Sequence, residues 1–103
     1  MSYETTSLDA TLSCAAGDDA ALAAELRAVF LSSARRQADL LRRSRCDANW
    51  QVAALRLRGI AASFHAEELL GLADAALAAA PGEPTVIRKI EEQFVLLDRD
   101  AAK

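Results

Sequence analysis

The chain has little of what small proteins use for turns, strands and cross-links. Its 103 residues include four glycines, two prolines, two cysteines, one histidine and five aromatic residues. So little glycine and proline excludes a collagen-like or low-complexity chain, and two cysteines exclude a disulfide-built scaffold. Only four valines and three isoleucines are present, too few for a β-sandwich. Cys14 and Cys46 form no CxxC pair, and His65 lies far from both in sequence. No zinc-ligand spacing results, so free thiols in a reducing compartment and no metal or organic cofactor are expected. No apolar run approaches the roughly 18 residues of a membrane span. Met1-Ser2-Tyr3-Glu4 has no basic region and no apolar stretch follows it, so neither a signal peptide nor membrane attachment is expected. The expected compartment is the cytoplasm.

Alanine and leucine dominate instead, with 24 and 15 copies. The length is that of one domain. Net charge is −3, unevenly distributed. Residues 1–26 carry five acids and no base; residues 27–58 carry eight arginines against Asp39 and Asp47; residues 59–103 are acidic again. A basic middle in an acidic protein suits either a docking surface for an acidic partner or a solvated helix face.

Hydrophobic spacing is helical throughout. Residues 1–7 read as a flexible tail, and residues 8–103 as a single domain. A short helix over Leu8–Ala16 ends at Gly17. Asp18 is the expected N-cap of a long helix over about Asp19–Arg45. Its stripe is Leu22, Leu26, Phe30, Ala34 and Leu41, with Val29 and Ala38 flanking. Cys46-Asp47-Ala48 connects to a helix over Asn49–Phe64, and another follows over Ala66–Ala80 with Leu69, Leu70, Ala73, Ala76 and Leu77 on one side. Pro81-Gly82-Glu83-Pro84 breaks the chain before a last helix carrying Val86, Ile87, Ile90, Phe94 and Leu97. Four amphipathic helices on short loops predict an all-α, antiparallel up-down-up-down four-helix bundle with a short additional N-terminal helix.

The helix over 49–64 departs from a simple amphipathic pattern. At about 100° per residue, Trp50, Ala53, Ala54, Leu57, Ile60, Ala61 and Phe64 share the core side. Leu55 points away from it, beside Gln51, Val52, Arg58, Gly59 and Ala62. A mid-helix glycine costs roughly 1 kcal/mol relative to alanine, and on an outer face it leaves room for close approach to the backbone. Arg56 and Arg58 flank this patch. An apolar clearing ringed by arginines fits a protein-docking site; an ordinary surface leucine and a tolerated glycine are the plainer alternative.

The stretch Ala53-Ala54-Leu55-Arg56-Leu57-Arg58-Gly59-Ile60-Ala61-Ala62-Ser63-Phe64 resembles the signature helix of histidine-containing phosphotransfer (HPt) domains. That family's pattern is histidine, any residue, leucine, lysine or arginine, glycine, any residue, alanine. Leu57, Arg58, Gly59 and Ala61 match it. Gly17-Asp18-Asp19 resembles the entry to the family's long second helix, and Phe30-Leu31 the Phe-Leu within it. Asp47 to Trp50 resembles the turn into the signature helix, and Ala66-Glu67-Glu68-Leu69 the start of the next. The resemblance covers roughly residues 8–98. It implies a helical bundle that binds a response-regulator receiver domain or a histidine kinase, acting as a monomer.

Two positions depart from the pattern. The phosphoacceptor histidine falls at Leu55, whose side chain has no lone pair to attack an aspartyl phosphate. His65 stands where the family has glycine at the helix-ending bend. It lies about 15 Å along the axis and about 80° around the helix from Leu55, so it is not a substitute acceptor. In the family the residue at Arg58 balances phosphoryl charge; the arginines at 35, 36, 42, 43 and 45 are candidates to border the same face.

The resemblance thus implies a docking module of two-component phosphorelay signalling that lacks its phosphoacceptor: a pseudo-phosphotransfer protein with no catalytic residue. Its docking residues are Gln51, Val52, Leu55, Arg56, Arg58, Gly59 and Ala62. An alternative is an active phosphotransfer protein whose histidine is replaced by Leu55 in this strain or expressed version. A lesser alternative is a nucleic-acid-binding bundle using the arginine-rich segment, against which stand the acidic net charge and the lack of a reading motif. No nucleophile–base signature or phosphate loop suggests an enzyme.

Overall fold

A computed structural model describes the backbone of residues 3–101 and the side chains of residues 7–99. Among these residues the chain is all-helical: α1 (Tyr3–Ala16), α2 (Ala20–Arg43), α3 (Asp47–Ser63), α4 (Glu67–Ala78) and α5 (Pro84–Ala101).

Each junction has a local cause. Gly17 ends α1 at φ 65°, a left-handed conformation that costs glycine little. Asp19, not Asp18, caps α2: its side chain accepts from the Leu22 N–H, satisfying one of the unpaired donors of the first turn. Glu83 does the equivalent work for α5, its two carboxylate oxygens accepting from the Thr85 and Val86 N–H groups. Pro84 then opens the helix where no donor is needed.

Residues 3–7, expected as a tail, are helical; Met1 and Ser2 lie outside the described residues. The first turns of α1 are tied to a distant part of the chain. Ser7 Oγ donates to the His65 carbonyl at 3.1 Å, and Thr11 Oγ1 meets His65 Nδ1 at 2.9 Å.

The helices share one hydrophobic core. Helix α2 packs on α3, α3 on α4, α4 on α5, and α5 back on α2, while α1 lies against α2 and α4. Leu8 and Leu12 of α1, Phe30, Ala34 and Leu41 of α2, and Val86, Ile90, Phe94 and Leu97 of α5 are buried. Full burial of a large apolar side chain contributes about 1.5–3 kcal/mol. Alanine fills much of the space around α3: Ala53, Ala54, Ala61, Ala66, Ala73 and Ala76 are all buried. Small side chains at these contacts let the helix axes come close.

One expected stripe residue of α2 and one flanking residue lie outside the core. Leu22 is exposed, and Val29 is exposed more strongly. The Phe30 ring sits 5.0 Å from that of Phe64 at the end of α3. The turns of α2 before Phe30 still pack through Ala23 and Leu26, and Arg27 reaches Asp9 of α1 and the Leu97 carbonyl of α5, so Leu22 and Val29 sit on their outer side.

Candidate functional site

Helix α3 begins after Cys46, which gives it no side-chain cap, and Asp47 places a carboxylate at its positive end. Trp50, Ala53, Ala54, Leu57 and Ala61 are buried, with Ile60 and Phe64 packed on the core. The core side is thus the one the spacing predicts. Gln51, Val52, Leu55, Arg56, Arg58, Gly59 and Ala62 are all exposed. Leu55 is 55% exposed and Val52 is 45% exposed. A Cβ built on Gly59 meets nothing within 4 Å, so neither fold nor neighbour requires a glycine there.

The two arginines of the patch face opposite ways. Arg58 turns toward α4, where its Nε donates to Asp74 Oδ1 at 2.6 Å. About half of each side chain is exposed, so the pair contributes at most about 1 kcal/mol. The charge of Arg58 is already partly balanced within the chain. Arg56 turns toward α2 and, among the described residues, has no ion-pair partner.

On the Arg56 side the surface is concave. One depression is lined by Gln37, Leu40 and Arg43 of α2 together with Asn49, Val52 and Arg56 of α3. A second continues from it along Gly59, Ile60 and Ser63. Gln37 and Arg56 line both, and no carboxylate lines either. The Gln37 Oε1 atom is buried and has no hydrogen-bond donor among the described residues.

The arginines of α2 divide between two faces. Arg43 borders the depression beside Arg56. Arg35 lies on the other side, 5.5 Å over the Phe94 ring and paired with Asp98. Arg42 lines a separate cleft between α2 and α5. Arg42 and Arg43 both hold Asp39. The Arg42 hydrogen bond, helped by the charge of Arg43, keeps the Asp39 carboxyl below its ordinary pKa.

His65 is far from this face in role. It adopts φ 57° at the end of α3. Its N–H donates to the Ala62 carbonyl, and that of Ala66 donates to the Ala61 carbonyl. This is the Schellman arrangement that closes helices, normally with glycine in the left-handed position. Its ring is held by Thr11 of α1.

Cys14 and Cys46 are exposed and unbridged. Among the described residues no three or more His, Cys, Asp or Glu side chains are grouped to hold a metal ion, and no helix is long and apolar enough to cross a membrane.

Several residues of this surface were not apparent from the α3 pattern alone. Gln37 and Leu40 enter it only through the packing of α2 on α3. Asp74 enters through the register of α4. Ala48, expected in the connection to α3, lies in its first turn and is exposed, seven residues before Leu55. No family model, curated protein or solved structure matches the chain.

Proposed function

We propose that the chain is an HPt-like docking module of two-component signalling that binds a receiver domain, or the histidine kinase that serves one, without accepting phosphate. The observation that carries this reading is Leu55. It stands 55% exposed in mid-helix, one turn from an open Gly59, at the position where the resembling family has its phosphoacceptor.

The packing order of the helices supports an antiparallel four-helix bundle of α2 to α5 with α1 added to it. Trp50 at the start of α3 meets Ala76 near the end of α4; Arg43 at the end of α2 borders the same depression as Asn49 near the start of α3, and Phe30, in the middle of α2, meets Phe64 at the end of α3. These contacts fit consecutive helices that run in opposite directions. A leucine at the acceptor position removes the nucleophile and leaves an apolar contact. The module then sequesters, scaffolds or modulates its partner, with Arg56 as the cation free to meet the acidic pocket of a receiver.

The test is binding to a panel of purified receiver domains, with Leu55→Glu as control. Selective binding that the control loses supports the reading. Equal binding by Leu55→Glu, or no binding to any receiver, counts against it.

The open surroundings of Leu55 favour a second reading, an active phosphotransfer protein in which histidine belongs at 55. Leu55→His incubated with a phosphorylated receiver then gains an acid-labile phosphoryl label. No label on the variant removes this alternative.

A further inference from the structure

The outward side of α3 carries a second apolar pattern that the core does not use. Ala48, Val52, Leu55, Gly59 and Ala62 are all exposed. Their spacing is four, three, four and three residues. That is the spacing of an a/d seam, in which each apolar residue lies about one helical turn from the next. Helix α3 therefore has an apolar stripe on both sides: one buried against α2 and α4, the other open.

We propose that this open seam docks one amphipathic helix of a partner protein, lying along α3 with acidic residues on its α2-facing flank. The inference rests on the docking reading above for the location of the site. It adds the shape and charge of what binds there.

The charges select the occupant. Arg56 and Arg58 stand at the two flanking positions of the seam, the places where coiled-coil partners exchange charge. An antiparallel second copy of α3 sets Arg56 against Arg56 and Arg58 against Arg58, and a parallel copy offers these arginines only Gln51 and Ser63, so a second copy supplies no complementary charge in either direction. The flanks also differ from each other. Arg58 is paired with Asp74 toward α4. Arg56 is unpaired toward α2, beside Arg43, along a depression that no carboxylate lines. An acidic side chain belongs on that flank.

The length follows from the seam. Ala48 to Ala62 spans about 21 Å along the axis, about four turns of the docked helix. Gly59 and Ala62 at one end admit a close backbone approach, while Val52 and Leu55 supply the larger apolar contacts.

The test uses the full chain and two hydrocarbon-stapled helical peptides about 16 residues long, because unstapled helices of this length are marginal. Both carry leucine at their a and d positions. One has glutamate on a single flank, and the other has lysine in its place. The chain is acidic overall, so its long-range field favours the lysine peptide. The seam requires the reverse: tighter binding of the glutamate peptide by about tenfold. Arg56→Glu is expected to invert that preference, and Leu55→Glu to abolish binding of both peptides. Equal binding of the two peptides, or no binding of either, overturns the proposal. The receiver panel separates the two readings. Receivers that bind while neither peptide does leave the docking module standing and remove the seam. A glutamate-peptide preference with no receiver bound keeps the seam and removes the receiver.

Discussion

The indole Nε1–H of Trp50 donates to the carbonyl oxygen of Ala76 over 2.7 Å, at a place where both residues are buried. The same carbonyl accepts from the Ala79 N–H at the end of α4. One side chain at the start of α3 thus anchors the closing turn of α4. Trp50→Phe keeps an aromatic ring but removes the donor. It is expected to lower unfolding free energy by about 1–3 kcal/mol, measured by urea denaturation. A loss below about 0.5 kcal/mol would mean that the bond contributes nothing beyond what water offers the unfolded chain.

His65 combines an unfavourable backbone with a useful side chain. Its left-handed conformation costs a non-glycine residue about 1–2 kcal/mol, whereas its ring bonds α1 through Thr11. His65→Ala loses the bond and keeps the strain; His65→Gly loses both. The glycine variant should melt above the alanine variant, with a difference of about 1 kcal/mol. Thermal unfolding of the two side by side checks the order, and an alanine variant as stable as the glycine one contradicts it.

The Glu83 carboxyl titrates below its ordinary value, first because the Val86 N–H donates to it and next because the Thr85 N–H does. The folded state therefore holds the proton less tightly than the unfolded state. The resulting stabilisation is fully present above the ordinary carboxyl pKa of about 4.5 and is lost as pH falls through the lowered folded value. Glu83→Gln should flatten this part of the stability curve on the acid side. Urea titrations between about pH 3 and pH 6 on both proteins test it; parallel curves exclude the capping role.

Gly59→Ala should stabilise the fold. The site is helical, exposed and open, so the added methyl meets nothing and the unfolded chain loses freedom. The expected gain is about 0.5–1 kcal/mol, seen as a rise in melting temperature of a few degrees. An unchanged or lower melting temperature would show that the glycine serves the fold itself.

Much of α2 to α5 was legible from spacing, because each carries a stripe that only a helix can bury. The outward stance of Leu55 followed from the same arithmetic. What escaped was whatever depends on distant partners. Tyr3 to Ser7 has no apolar period, and the ties near the start of α1 run from Ser7 and Thr11 to His65, more than 50 residues away. Asp18 and Asp19 are adjacent and chemically identical, and only the backbone path decides which one reaches the Leu22 N–H. Arg58 reads as an outward cation until the register of α4 sets Asp74 beside it. Leu22 fits its stripe, yet it stays exposed while Leu26, one turn on, packs against the core.

The alanines on the inner side of α3 have a consequence for its outer side. Alanine has no rotamers, so Ala53, Ala54 and Ala61, set among the buried Trp50 and Leu57, add no side-chain freedom to the seat of the helix. The platform has little to rearrange on contact, and binding there loses little entropy to ordering the protein side of the interface. Stiffness at the surface is in this way a property of the smallest residues in the interior.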